Sequence, residues 1–276
     1  MKKIYLIACI GVLTSCDIFD KEEEIPSFIV INSADLQTNN TQGANTSNIG
    51  DATVFANNNF VGTFELPATV PIMESGDVEI AIGAGIRNNG LTSDRRIYPF
   101  YDFHRQDVTL VPGAIIPISE HTTITFNYFD EGLNFIIEDF ESIGYTIHES
   151  SNSSAYLDDS DNYLKVTLTP DSNLFEASSG WGLIDLPKGN SMYLEIDFKG
   201  NVPLKIGVFT VDPFPKKIFA LGLLPPEEFT KVYVDLTDEI SREINTNHFE
   251  IYLEAELPVG STGAELYIDN LKFIHP

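Results

Sequence analysis

The chain has 276 residues, with 41 Asp and Glu against 16 Lys and Arg and a formal net charge of −25. So large an acidic excess excludes nucleic acid, acidic glycans and anionic headgroups as electrostatic partners. Both cysteines, Cys9 and Cys16, fall in the first 16 residues, so the rest of the chain has no thiol for a disulfide, a zinc–thiolate site or a nucleophile.

Lys2 and Lys3 precede an almost wholly apolar run at 4–13, the charged and hydrophobic regions of a secretory signal, and the run is too short to span a bilayer. Leu13-Thr14-Ser15-Cys16 resembles the lipobox of bacterial lipoproteins. The resemblance implies a signal peptide over 1–15, cut before Cys16, and covalent lipid on that cysteine. Asp17, Asp20, Glu22, Glu23 and Glu24 surround Lys21, so 16–26 reads as a solvated acidic tether that cannot collapse onto a core. Within it, Lys21-Glu22-Glu23 is similar to the export signal of Bacteroidota surface lipoproteins. That similarity implies an outer-membrane protein, lipid-anchored and facing the cell exterior.

From 27 to 132 the pattern is one of short alternating strands: FIVIN, ATVFA, a turn at Asn57-Asn58-Asn59, FVGTFEL, DVEIAIG, DVTLV and TTITFNYF. GAGIRNNG reads as a Gly/Asn turn between strands. No segment has sustained helical periodicity, which predicts a small β-sandwich. The stretch VFANNNFVGTFELPATVPIMESGDVEIAIGAGI resembles PEGA-type and transthyretin-like extracellular modules.

A second unit, 133–276, opens with IIEDFES and closes with LYIDNLKFI. Between them YLKVTLT, MYLEIDFKG, PLKIGVFT, TKVYVDLT and FEIYLEAEL alternate with period two. EDFE, VYVDLT and YIDNLKF give the unit a resemblance to jelly-roll sandwiches of the galactose-binding and carbohydrate-binding-module type. The expected fold is therefore all-β, with two β-sandwich domains, the C-terminal one jelly-roll-like. In calcium-containing members of that family, acids near the first strand and on the last share one ion. Here the resemblance puts Glu138, Glu141 and Asp269 in those places, with calcium as a structural cofactor. Trp181, the only tryptophan, is a sugar platform if its indole faces solvent and a core residue if it does not.

Catalytic equipment is sparse. The five histidines have no metal-pair spacing, and neither a nucleophile elbow nor a phosphate loop is present. Binding without catalysis, a non-enzymatic role, is the expectation. Two stretches suggest a surface. Arg87, Arg95 and Arg96 cluster with Tyr98 and Tyr101 in an acidic chain, the residue types that anchor interfaces. The alternative is that the arginines neutralise local acids while the aromatics fill the core. The apolar segment at 213–229, with Phe219 and Leu223, is too broken by Pro and Gly to read as a strand, and either plugs one end of the sandwich or docks a partner. The leading expectation is an accessory subunit docked on an outer-membrane protein complex. The alternative is a glycan-binding lipoprotein using the C-terminal jelly roll.

Overall fold

The computed structural model describes residues 24–119, 122–141 and 145–276, without the side chains of 159–161. Cys16 and the motif Lys21, Glu22 and Glu23 lie outside the described residues. Apart from one helical turn at Thr237–Ser241, every regular element among the described residues is a strand, so the chain is all-β. Among the described residues no helix is long and apolar enough to cross a membrane.

In the N-terminal half, Gly76–Arg87 pairs antiparallel with Ile49–Ala56, Arg95–Ile97 and His104–Leu110, and Asn59–Glu65 flanks Ile49–Ala56. Asn57 and Asn58 take φ of 47° and 65°, the left-handed pair that a two-residue hairpin turn requires. Residues 83–87, expected in a turn, instead continue the long strand, and the chain reverses after them through Asn89 and Gly90, both at positive φ. Against this sheet pack Ser27–Ile31, paired with Ala68–Ile72 and in parallel with Ile115–Pro117, and the parallel pair Ser33–Gln37 and Thr123–Asn127. Alternation carries Ile29, Ile31, Val54, Ile80, Ile82, Ile124 and Phe126 into the shared core.

The C-terminal half is a jelly-roll-like sandwich of two six-stranded sheets. The first runs Leu157–Asp161, Tyr163–Leu168, Ala264–His275, Tyr193–Gly200, Thr230–Asp235, with Asn134–Glu138 also paired to Ala264–His275. The unit's first and last strands are thereby joined. The second runs Ile147–Glu149, Leu174–Ser179, His248–Glu256, Leu204–Thr210, Lys216–Leu223, with Leu183–Ile184 against the start of His248–Glu256. Phe175, Leu194, Ile196, Val208, Ile251, Leu253 and Phe273 fill the space between the sheets. Lys216–Leu223 corrects the expectation of a broken segment. It is an edge strand whose alternation a bulge interrupts opposite Ile206 and Gly207. A Cβ on Gly207 would lie 2.1 Å from the Ile218 carbonyl oxygen, so only glycine lets the edge strand approach there.

On the outward face of the first sheet Lys165, Thr167 and Glu265 stay open to water, but Tyr193, Glu195, Asp197, Lys231, Tyr233, Lys272 and Ile274 are buried. The N-terminal sandwich covers the buried group, and Tyr193, Tyr233 and Ile274 join its core. At the centre of this seam Glu195 is fully buried. It accepts hydrogen bonds from Tyr98 Oη at 2.8 Å and from Tyr128 Oη at 2.8 and 2.9 Å, with Lys272 Nζ at 3.8 Å. Lys272 itself donates to Tyr128 Oη at 2.9 Å and to the Ala44 carbonyl at 3.1 Å. Beside it, Lys231 pairs with Asp197 at 3.2 Å, and Asp197 accepts from Thr46 Oγ1 at 2.6 Å. Burying these charges is tolerable because each finds a partner. Burial still pushes the Lys272 ammonium down to about 8, against the opposing pull of Glu195.

Candidate functional site

The N-terminal sandwich covers much of the outer face of the first sheet of the C-terminal sandwich, and it leaves the outer face of the second sheet uncovered. Strand alternation sends Phe249, Ile251, Leu253 and Ala255 into the core and leaves Glu250, Tyr252, Glu254 and Glu256 on the opposite side of His248–Glu256. Register then builds rows across the sheet. Ser178, Tyr252, Gly207 and Phe219 lie side by side, flanked by His148; Glu176, Glu254 and Lys205 form the next row, and Glu250, Phe209 and Lys217 another. Phe219 is 58% exposed at the edge, and Phe209 is half-buried beside it.

The polar side chains of this face are held by one another. Lys217 bonds Glu176 and lies over the Tyr252 ring, 4.8 Å from its centroid. Glu176 also accepts from Ser150 and from Asn152 Nδ2 at 3.3 Å. Tyr252 Oη donates to Glu254, which Lys205 meets at 2.5 Å, and Ser178 Oγ donates to Glu250 at 2.6 Å. Burial acts to raise the Glu176 and Glu254 carboxyls, but their lysine and hydroxyl partners outweigh it and hold both below the usual range. The Tyr252 phenol is driven up by burial and by Glu254. Neither glutamate can keep a proton near neutral pH, so the pair lacks the general acid that glycoside hydrolysis needs. What the face offers is an open ring at its edge and a fixed grid of donors and acceptors.

The residues expected to dock a partner do not form one surface. Tyr98 and Tyr101 are only 1% and 2% exposed, spent in the seam between the sandwiches, and Leu223 is buried in the C-terminal core. Tyr98 is there because its ring packs on Tyr101 and Tyr193 while its hydroxyl satisfies Glu195. The arginines are committed to neighbours. Arg95 bridges the buried Asp51 at 2.5 Å and Glu65 at 3.3 Å; Arg87 lies 3.6 Å from Glu65; Arg96 meets Asp94 at 2.8 Å and reaches Asp235 across the seam at 3.5 Å. Local neutralisation and packing account for the cluster, and of the set Phe219 alone contributes to the open sheet face.

Trp181 is half-buried against the core, its Nε1 donating to Thr146 Oγ1 at 2.6 Å, so the indole is fixed at the border of the sandwich. The three acids expected to share calcium are not assembled. Glu138 accepts from the Thr146 amide at 2.6 Å, Thr146 Oγ1 at 2.8 Å and the Phe140 amide at 3.2 Å, which ties down the segment after the first strand. Glu141 accepts from Asn162 Nδ2 at 2.9 Å. Burial, with Asp197 and Glu141 adding to it, pushes Asp269 up to about 6. Among the described residues no three His, Cys, Asp or Glu are grouped to hold a metal ion.

Sequence reasoning missed Tyr252, Phe209, Lys217, Glu176 and Glu254. The signal available was Tyr252, an aromatic on the polar phase of FEIYLEAE, and Phe209 on the same phase of KIGVF. A scan of the sequence against protein-family models and a comparison with curated proteins both give no match. Among solved structures the chain is similar to family 29 carbohydrate-binding modules. A point variant of one aligns over 52% of this chain and 92% of its own at 13% identity, with a TM-score of 0.39. A variant complexed with mannohexaose gives the same figures, and one complexed with cellulohexaose covers 52% and 90% at 13% identity, with a TM-score of 0.37.

Proposed function

We propose that this protein is a non-catalytic, lipid-anchored surface protein that binds glycans on the open face of its C-terminal sandwich. The observation that carries the reading is the pairing of an exposed ring, Phe219, with the interlocked Lys217, Glu176, Tyr252, Glu254 and Lys205. Pyranose rings present C–H faces that pack on aromatics and hydroxyls that exchange donors for acceptors, and a preorganised polar grid meets both needs at small entropic cost. Carboxylates outnumber lysines on the face, and both lysines are paired, so the fitting ligand is a neutral sugar. Cys16 and the Lys21-Glu22-Glu23 motif supply the outer-membrane anchor and the outward address in this reading. The test is an array of neutral and uronic-acid polysaccharides probed with the purified protein. Retention on neutral glycans supports the proposal; retention on none of them, or only on uronic-acid polymers, contradicts it.

A further inference from the structure

We propose that the end of the N-terminal sandwich where the tether enters is a lipid-contacting surface, seated on the bilayer that holds the Cys16 acyl chains. The inference rests on the lipoprotein reading above. Three segments converge at that end. Ile25 and Pro26 lead into Ser27–Ile31; the Gly113 amide donates to the Pro26 carbonyl at 3.0 Å, and the Phe28 amide to the Ala114 carbonyl at 2.8 Å. On the other flank Ser27 pairs with Ile72, which places Met73 beside the entering chain, while Phe28 pairs with Ile115.

These segments expose four large apolar side chains together: Ile25 at 65%, Met73 at 56%, Val111 at 55% and Ile115 at 69%. Isolated exposed hydrophobics need no explanation, but a group gathered where the chain enters does. The position of Cys16 says what covers it. Cys16 precedes Glu24 by eight residues, which limits its distance from this end to about 30 Å even for a fully extended chain. The acyl chains therefore keep this end within that reach of the membrane. The tether and the chain as a whole are acidic, so attraction to anionic headgroups does not drive the contact. Apolar insertion at the headgroup boundary is the interaction that remains.

The test uses the full lipidated chain, purified from membranes and reconstituted into vesicles of phosphatidylethanolamine and phosphatidylglycerol. Nitroxide is placed singly on Val111→Cys, on Ile115→Cys and, as a reference at the far end of the C-terminal sandwich, on Val259→Cys. Collision with oxygen, which concentrates in lipid, is compared with collision with an aqueous nickel chelate. The expected result is an oxygen-to-nickel collision ratio several-fold higher at 111 and 115 than at 259. An anchored chain whose labels at 111 and 115 are as wet as at 259 overturns the proposal and leaves the anchor standing. A chain that does not stay with the vesicles shows the Cys16 anchor to be wrong, and the lipid surface falls with it.

Discussion

Replacing Glu195 with glutamine probes whether the two sandwiches form one cooperative unit. The carboxylate accepts from Tyr98 and Tyr128 and faces Lys272 at 3.8 Å, all buried. Removing one partner of a buried ion pair costs about 3–5 kcal/mol when the other charge is stranded. Here the stranding is limited, because burial already holds Lys272 near 8. That value includes the upward pull of Glu195, so in the variant Lys272 falls further, and shedding its proton at pH 7 costs at most about 1.4 kcal/mol, one pH unit's worth. Weakening two hydrogen bonds from a charged to a neutral acceptor adds about 1 kcal/mol each. The expected loss for Glu195→Gln is therefore about 2–3.5 kcal/mol, at or below the lower end of the usual range. Adding Lys272→Met removes the unpaired amine and should restore about 1–2 kcal/mol. Urea unfolding at pH 7, followed by circular dichroism and by tyrosine fluorescence, gives the full double-mutant cycle. The wild type should unfold in one transition seen alike by both probes. A Glu195→Gln loss below about 0.5 kcal/mol, with no recovery in the double variant, would refute a seam built on this carboxylate.

Asp269 has its folded pKa raised to about 6 against an ordinary 3.8, so its ionisation opposes folding: stability from this group is present below pH 4 and is lost as pH rises towards 6. Asp269→Asn should therefore raise the melting temperature at pH 7.5, by about 1–2 kcal/mol of stability after allowance for solvent screening, and the gain should vanish at pH 4; a gain equal at both values would refute the assignment. Gly207→Ala places a methyl against the Ile218 carbonyl and should cost about 1–3 kcal/mol, with faster amide exchange across Lys216–Leu223 as the local readout. Melts with chelator and with millimolar calcium should coincide, since Glu138, Glu141 and Asp269 are not grouped around a cation site; a higher midpoint with calcium would contradict that geometry.

Much of the fold is legible where alternation is unbroken. FIVIN, ATVFA with its asparagine turn, FEIYLEAEL and LYIDNLKFI all form strands in the expected places, because a half-buried strand writes its two faces into consecutive residues. Lys216–Leu223 was illegible for a local reason: prolines flank it and a bulge shifts its phase, hiding the period. The arginine and tyrosine cluster was misleading for a non-local one. Tyr98 is satisfied by a carboxylate 97 positions away, and nothing in its neighbourhood announces that partner. The open sheet face was half legible. Composition of the strands shows polar residues on one phase, but which sheet is covered depends on the neighbouring sandwich, which strand patterns do not encode.

The central claim is that the open face of the second sheet holds a sugar, with Phe219 as its exposed ring. The direct measurement is calorimetric titration of a glycan retained on the array into the wild type and into Phe219→Ala, with melting curves confirming that both are folded. Loss of one stacked ring is worth about 1.4–2.8 kcal/mol, so affinity should fall roughly ten- to a hundred-fold. Lys217→Ala should weaken binding as well, by releasing Glu176 and uncovering Tyr252. A Phe219→Ala protein that binds the same glycan with unchanged affinity would contradict the account and remove this face as the binding site.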